Sequence, residues 1–412
     1  MTSLRKQTKL SNGLTIVTET VDTVRSVALG FWVRAGSRYE PADLSGISHF
    51  LEHSVFKGTE NRSTFEIASS LESVGGHLNA FTTKEYTCYH ARFLSEYLEN
   101  AVDVLSDIIL HPIFPESEIN REKSVVLDEL RDSHDVPEEV AFDTFEKFLY
   151  PGNQLGLPIL GNEDTIKGFS AEKLDHYLND NYSPENTIIV AAGYVEHDEL
   201  VKMISDRYDR KSTSENSFES LDSTQYKPGI ETRTKDIQQS HLIVGMPIFS
   251  VYDEKRYAAA VLNSILSGGM SSRLFQNIRE AHGVAYQIFS FVNLYRDTGS
   301  FGVYLATDPA KRDKALELTQ KELQKMVDEP VNDAELERVK AQYKSGIVMG
   351  DESMERRMLR LGRQQIYYGK NISLDIFLSK IEGIDTQNIQ QLARELFNPE
   401  SFFTSILEPV RG

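Results

Sequence analysis

The order of helices and strands that is predicted for this chain of 412 residues occurs twice, once in each half. In the first half, a helix near residues 170–180 is joined to a buried strand by Tyr182–Glu185, with the sequence Tyr-Ser-Pro-Glu. In the second half, Phe397–Glu400 (Phe-Asn-Pro-Glu) joins a helix to a strand in the same way, 215 residues later. A period this long indicates duplicated domains and excludes a solenoid of short repeats.

The repeat predicts the α+β class, with two homologous domains that each contain a mainly antiparallel sheet and flanking helices. A polar, Ser-rich stretch at 210–230 separates the two halves and has the composition of a linker. We therefore expect an N-terminal domain at 1–209 and a C-terminal domain at 231–412.

The composition excludes several classes of partner. The formal net charge of −18 argues against a nucleic-acid-binding protein, which needs a basic surface, and favours cationic ligands. We expect no membrane association, because no apolar run is long enough to cross a bilayer and the first residues lack the apolar core of a secretory signal. Cys88 is the only cysteine, which excludes an internal disulfide and fits a reducing, cytoplasmic location.

One predicted helix, at 47–56, carries two histidines four residues apart, His49 and His53. Positions i and i+4 share a helix face, so that both imidazoles can bind one metal ion. Glu52 lies next to His53 and can accept a proton beside that ion without being a ligand. His-x-x-Glu-His is the inverted form of the zinc-protease signature, so the motif predicts a catalytic zinc site.

A third zinc ligand is expected from the long predicted helix that begins at Pro115 and extends to about His134. Glu122 and Glu129 are seven residues apart and share a face of this helix. Glu129 is the candidate third ligand, and Glu122 is a candidate partner that orients a ligand. Asp128 and Asp132 are competing candidates, and spacing within the helix does not exclude them.

The second half contains no equivalent metal motif. The helix that corresponds to the one with His49 and His53 contains Tyr257–Ser264, which includes no histidine. We therefore expect one zinc ion per chain, bound in the first half.

The chain resembles the pitrilysin-type inverted zincins over nearly its whole length, most closely the small branch with bacterial processing proteases and mitochondrial processing peptidase. In that family, a glutamate in a Glu-x6-Glu helix follows the motif by some seventy-five residues. Here Glu129 lies 76 residues after His53 and seven residues after Glu122. The resemblance implies His49, His53 and Glu129 as zinc ligands and Glu52 as the general base. It thereby favours Glu129 over Asp128.

Two further motifs are similar to those of the family. The segment 75–82, which ends in His77-Leu78-Asn79-Ala80-Phe81-Thr82, resembles the strand beside the metal that pairs with an extended substrate, and implies substrate contacts by Asn79, Ala80 and Phe81. Arg279 and Tyr286 resemble the family's Arg-x6-Tyr pair, which implies contacts with the substrate backbone and the scissile carbonyl. Without the family, Arg279 is interpreted as a surface salt-bridge residue and Tyr286 as a core residue of a strand.

The resemblance implies a zinc metalloendopeptidase that acts on peptides or unfolded polypeptides, with the two domains closing as a clamshell around a cavity. It also implies a homodimer. One alternative is a non-catalytic core or scaffold subunit of the same superfamily, although such subunits lose the metal motif that this chain retains. A second alternative, a peptide-binding module with structural zinc, requires a fourth ligand, and the sequence offers none with the necessary spacing.

Overall fold

The computed structural model describes residues 4–208 and 225–410, which form eleven strands and fourteen α-helices. The strands are β1 Leu4–Lys9, β2 Thr15–Thr20, β3 Ser26–Val33, β4 His77–Thr82, β5 Thr87–Leu94, β6 Thr187–Gly193, β7 Gly229–Lys235, β8 Ser240–Ile248, β9 Gln287–Leu294, β10 Gly299–Thr307 and β11 Phe403–Pro409. The helices are α1 Ile47–Ser54, α2 Thr64–Glu72, α3 Leu98–Leu110, α4 Glu116–Asp135, α5 Pro137–Leu149, α6 Glu163–Lys167, α7 Ala171–Asn181, α8 His197–Ser205, α9 Arg256–Ser267, α10 Arg312–Asp328, α11 Asp333–Gly350, α12 Met354–Tyr368, α13 Leu374–Glu382 and α14 Thr386–Leu396. No helix among the described residues has both the length and the apolar content to cross a membrane.

The described residues form two compact units, and each unit contains residues from both halves of the sequence. Unit 1 takes the described residues of Met1–Arg131, Leu157–Glu219 and Met349–Asn371, and unit 2 takes those of Asp132–Gly156, Ser220–Val348 and Ile372–Gly412. The contiguous domains expected at 1–209 and 231–412 differ from these units in two stretches, because α5 packs on the sheet of unit 2 and α12 on the sheet of unit 1. Residues 210–224 of the expected linker lie outside the described residues.

Unit 1 is built on one mixed sheet with the strand order β1-β2-β6-β3-β5-β4. Every neighbouring pair in it is antiparallel except β2 and β6, which are parallel. One face of the sheet packs against α1, α3 and α7 in a large apolar core, and the other face packs against α12 around Trp32 and Met358. The sheet therefore lies between two helical layers, and β4 is an edge strand.

Unit 2 repeats this connectivity in a sheet with the strand order β7-β11-β8-β10-β9. Its first pair, β7 and β11, is again parallel, and the remaining pairs are antiparallel. The prediction of two homologous α+β domains with mainly antiparallel sheets is thus confirmed. Strand β1, which the sequence analysis did not identify, extends the unit 1 sheet by one strand that has no counterpart in unit 2.

Helix α12 is joined to the sheet of unit 1 by buried charges as well as by apolar packing. The fully buried carboxylate of Glu19 on β2 lies 2.7 Å from Arg357 and 3.3 Å from Arg360. At Gly362 the helix approaches the indole of Trp32 so closely that an added Cβ would lie 2.1 Å from a ring carbon. A buried carboxylate is costly unless it is paired, so these arginines, together with Arg5 on β1, stabilise Glu19, and the two on α12 favour the observed position of that helix.

Candidate metal centre

Helix α1 carries both motif histidines and begins at a tight backbone contact. Gly46 precedes it with φ +93°, and a Cβ there would lie 2.5 Å from the carbonyl oxygen of Leu160. Gly161 faces it with φ +76°, and its Cβ would lie 2.2 Å from the oxygen of Ser45. Only glycine combines this left-handed conformation with so close an approach. The start of the metal-motif helix is therefore fixed against the 160–161 loop.

A buried carboxylate caps α1, and the sequence analysis did not identify it. Glu40 is 2% exposed, and its two oxygens accept hydrogen bonds from the backbone N–H groups of Gly46 at 2.6 Å and Ser48 at 2.8 Å. These are among the amides that a helix leaves without partners at its N-terminus. Burial raises the pKa of Glu40 to about 7, although the two amides oppose the shift. Glu40 lies outside the motif, and its position six residues before Gly46 is the only sequence signal for this role.

The raised pKa of Glu40 predicts a specific dependence of stability on pH. Because the folded-state pKa of about 7 exceeds the ordinary glutamate pKa of 4.5, the contribution of Glu40 to stability is fully present below pH 4.5 and declines as the pH rises to 7. We expect the free energy of unfolding of wild type to fall by about 3 kcal/mol, relative to Glu40→Gln, between these limits. Urea unfolding of the metal-free proteins, followed by the fluorescence of the single tryptophan, Trp32, measures this in unit 1. If the difference in unfolding free energy between wild type and Glu40→Gln did not change with pH, the prediction would be contradicted.

The structure brings His49, His53 and Glu129 together, although Glu129 lies on the distant helix α4. Nε2 of His49 is 3.7 Å from one carboxylate oxygen of Glu129, and Nε2 of His53 is 3.8 Å from the other. One ligand atom from each residue lies within 4.8 Å of the other two. Among the described residues this is the one group of three or more such side chains that is close enough to hold a metal ion.

The cluster fits a zinc ion in both geometry and chemistry. Tetrahedral coordination with bonds of about 2.0–2.1 Å places ligand atoms about 3.3 Å apart, which is close to the separations observed here. The His49 ring presents Nε2 to the cluster, and its Nδ1 is buried without a hydrogen-bond partner among the described residues. Two imidazoles and one carboxylate are a donor set of catalytic zinc, which keeps a further position for water or substrate.

Glu122 and Lys57 fix the orientation of His53. Nδ1 of His53 and Oε1 of Glu122 are 2.8 Å apart, and Nζ of Lys57 is 2.7 Å from Oε2. The pKa of Glu122 is lowered, because these hydrogen bonds outweigh the opposing effect of burial. A carboxylate on Nδ1 leaves Nε2 to bind metal and makes the imidazole a stronger ligand. Lys57 was not identified from the sequence; it is the last residue of the 3₁₀ turn Val55–Lys57 that follows α1.

Burial sets the protonation of the two remaining motif residues. Burial, followed by the nearby His53, lowers the pKa of His49 to about 4, so its ring is neutral and able to bind metal at neutral pH. Burial raises the pKa of Glu52, against the opposing effects of a hydrogen bond from Thr82 and the charge of His53. A carboxylate with a raised pKa is a stronger base at neutral pH than an exposed one.

The two competing aspartates have different surroundings. The side chain of Asp128 is 70% exposed and forms an ion pair with Arg131 at 2.6 Å. Asp132 is exposed, and neither aspartate belongs to the cluster of potential ligands found among the described residues.

The predicted substrate residues lie on the edge strand β4, next to α1. Asn79 is exposed, and its Oδ1 accepts a hydrogen bond of 2.8 Å from the backbone N–H of Ala80. Phe81 points to the opposite face of the sheet, where its ring packs edge-on against Trp32 with centroids 6.0 Å apart. The ring of Phe81 therefore lies on the side of the sheet away from α1.

Arg279 and Tyr286 lie in unit 2, outside the unit that contains the cluster. Arg279 is on a π-helical turn, Phe275–Glu280, with its guanidinium carbon 4.9 Å from the ring centroid of Phe275. Tyr286 directly precedes β9 and is 62% exposed. The interpretation of Tyr286 as a core residue of a strand is therefore wrong.

Two family models match successive parts of the chain. The model described as insulinase (peptidase family M16) matches residues 15–163, which include α1 and α4. The model described as the peptidase M16 inactive domain matches residues 168–343. The three clustered side chains all fall within the first match, in agreement with the absence of a metal motif from the second half of the sequence.

Relatives of similar length carry names that indicate zinc proteases. The uncharacterized zinc protease YmxG of Bacillus subtilis is 36% identical over 404 residues, which cover 98% of each chain. An uncharacterized zinc protease of Streptomyces coelicolor is 34% identical, over 95% of this chain and 87% of its own. The crystal structure of a protease from Helicobacter pylori matches with a TM-score of 0.91 at 20% identity, covering 99% of this chain and all of that one, which establishes the shared fold.

Proposed function

Because the chain belongs to peptidase family M16, we propose that it is a zinc-dependent metalloendopeptidase that hydrolyses peptides or unfolded polypeptides. The observation that carries this proposal is the cluster of His49, His53 and Glu129, with the carboxylate of Glu52 on the same helix as the two imidazoles. A scaffold subunit has no need of this donor set, so the cluster favours the enzyme over the non-catalytic alternative.

Each residue of the cluster has a proposed role. His49, His53 and Glu129 hold one zinc ion per chain, while Glu122 and Lys57 keep the His53 ring in place. When bound, zinc polarises a carbonyl group and lowers the pKa of water towards neutrality. Glu52 accepts a proton from the attacking water at its carboxylate and delivers it to the leaving amine.

The edge strand β4 is the proposed binding site for the substrate backbone. Among the described residues it pairs with β5 on one side only, so an extended peptide can lie along Asn79, Ala80 and Phe81 on its other side and form main-chain hydrogen bonds with the strand. Such pairing requires an extended chain but no particular sequence, which is the reason for proposing peptides and unfolded polypeptides as substrates.

The remaining proposals come from the family resemblance and the composition. Arg279 and Tyr286 bind the substrate backbone and the scissile carbonyl, which requires unit 2 to take part in an enclosed active site. The protein acts as a homodimer in the cytoplasm. Its net charge of −18 favours basic peptides as substrates, and a cleavage profile without bias towards Lys or Arg would contradict that preference.

Removal and return of the metal tests the proposal. We expect the purified protein to contain close to one zinc per chain and to cleave an unstructured, internally quenched peptide. Dialysis against a chelator should abolish cleavage, and stoichiometric zinc should restore it. A stably folded protein that contains the same peptide sequence serves as the substrate control and should remain uncut. Cleavage that continues in a preparation shown to be free of metal would refute the metallopeptidase assignment.

A further inference from the structure

Thr82 is the last residue of β4, and its side chain points towards α1. Alternate residues of a strand face the same side of the sheet. Leu78 and Ala80 pack against the apolar core on the α1 side, whereas Phe81 packs against the core on the α12 side. Thr82 continues the row of Leu78 and Ala80, and its hydroxyl reaches the carboxylate of Glu52 on α1.

The hydrogen bonds around Thr82 assign its single proton. A threonine hydroxyl has one proton to donate. The facing residue, Thr87, donates its own hydroxyl proton to the carbonyl oxygen of Ala35 at 2.8 Å. The hydroxyl oxygen of Thr82 lies 3.4 Å from that of Thr87, but it forms a much shorter hydrogen bond with Oε2 of Glu52. The proton of Thr82 therefore points to Oε2.

This hydrogen bond differentiates the two oxygens of Glu52. Thr82 is the one hydrogen-bond partner of Glu52 among the described residues. Glu52 is only 9% exposed, so few water molecules can replace that partner. With Oε2 held by Thr82, the rotation of the carboxylate group is restricted, and Oε1 remains available to accept a proton.

We propose that Thr82 is a positioning residue that holds the carboxylate of Glu52 in the orientation required for proton transfer. This inference rests on the proposed function of Glu52 as the general base. Thr82 is not one of the potential ligands or proposed substrate contacts, so it acts through its hydrogen bond to Glu52.

The position of Thr82 also links substrate binding to the general base. Thr82 directly follows the proposed substrate-binding residues Asn79–Phe81 on the same edge strand. A peptide that pairs with β4 orders the outer side of this strand and thereby restrains the hydroxyl that holds Glu52. An extended substrate should consequently stabilise the catalytic orientation of the carboxylate as well as bind to the strand.

The test compares Thr82→Val, which replaces the hydroxyl with a methyl group, with the conservative variant Thr82→Ser. We expect Thr82→Val to lower kcat by roughly 10–100-fold with little change in KM or in zinc content, because the base is misplaced while both binding sites persist. Thr82→Ser retains the donor and should retain most of the kcat. Thr87→Val is the matched control, because it removes a buried hydroxyl from the facing residue that donates its proton to Ala35 and not to Glu52.

A second measurement detects the hydrogen bond without any turnover. In a double-mutant cycle of Thr82→Val and Glu52→Ala on metal-free protein, we expect the losses in Tm to be clearly non-additive. The corresponding cycle of Thr87→Val and Glu52→Ala should be additive within error.

The outcomes separate this inference from the proposed function. If wild type cleaves no peptide even when loaded with zinc, the function of the site is wrong and the inference falls with it. If wild type is active but Thr82→Val has the wild-type kcat, or if Thr82→Ser is as impaired as Thr82→Val, the positioning role alone is refuted. An equal fall in kcat in Thr87→Val would show that the effect is a general loss of packing.

Discussion

Replacement of Glu52 with Gln is expected to lower kcat for an unstructured peptide by roughly 10²–10⁴-fold while the protein retains its zinc. The amide has the shape of the carboxylate but cannot accept the proton of the attacking water. Glu52 lies outside the group of three proposed ligands, so its replacement leaves those side chains intact. Zinc content measured by mass spectrometry, together with kcat and KM for one quenched peptide, tests both parts of the prediction.

The control for this variant is Glu72→Gln, which makes the same chemical change at an exposed residue at the end of α2. It should leave both kcat and zinc content at wild-type levels. Loss of zinc in Glu52→Gln would instead identify Glu52 as a ligand, and wild-type turnover would place the general base elsewhere.

Replacement of Glu129 with Gln is expected to weaken zinc binding by roughly 100-fold or more and to abolish cleavage at low micromolar zinc. The change removes the only negative charge among the three proposed ligands, and a neutral amide oxygen is a poor ligand for zinc. Because changes to residues that merely support a ligand cost about 10–100-fold in affinity, loss of the ligand itself should cost at least the upper part of that range. Competition with a chromogenic chelator measures the affinity directly.

Asp128→Asn is the matched control for Glu129→Gln, since it neutralises the adjacent carboxylate on the same helix. Asp128 forms an ion pair with Arg131 on the exposed side of α4, and exposed pairs of this kind contribute little to stability. The variant should bind zinc like wild type. If Asp128→Asn lost the metal and Glu129→Gln kept it, the assignment of the third ligand would be reversed.

Local sequence signals predicted most of the elements that hold the site. The expected helix at 47–56 corresponds to α1 and the 3₁₀ turn that follows it, and the helix expected from Pro115 to about His134 corresponds to α4. The strand predicted at 77–82 is β4. These predictions succeed because helical and strand periodicity are properties of neighbouring residues. Spacing along α4, however, left Glu129 and Asp128 undecided, because both positions are equally compatible with an isolated helix.

No local sequence signal indicated that α5, from the first half of the sequence, belongs to unit 2, or that α12, from the second half, belongs to unit 1. Helices α5 and α12 are amphipathic, and their apolar faces indicate that they pack on something but not on which sheet. The choice is made by long-range contacts such as those of Glu19 with Arg357 and Arg360, which are more than 300 residues apart in the sequence. The contiguous domain boundaries drawn from the sequence therefore differ from the compact units.

The amino-acid sequence by itself determined the metal-binding motif, because the two imidazoles of His49 and His53 are brought together by a single turn of helix. Only the tertiary structure decided which other groups lie beside these residues: Glu129 near both rings, Glu122 with Lys57 at Nδ1 of His53, and Thr82 against Glu52. The physical reason is that hydrogen bonds and coordination depend on distances of a few ångströms between side chains. Along one helix such distances follow from the helical repeat, whereas between α1, α4 and β4 they follow from the packing of the whole unit.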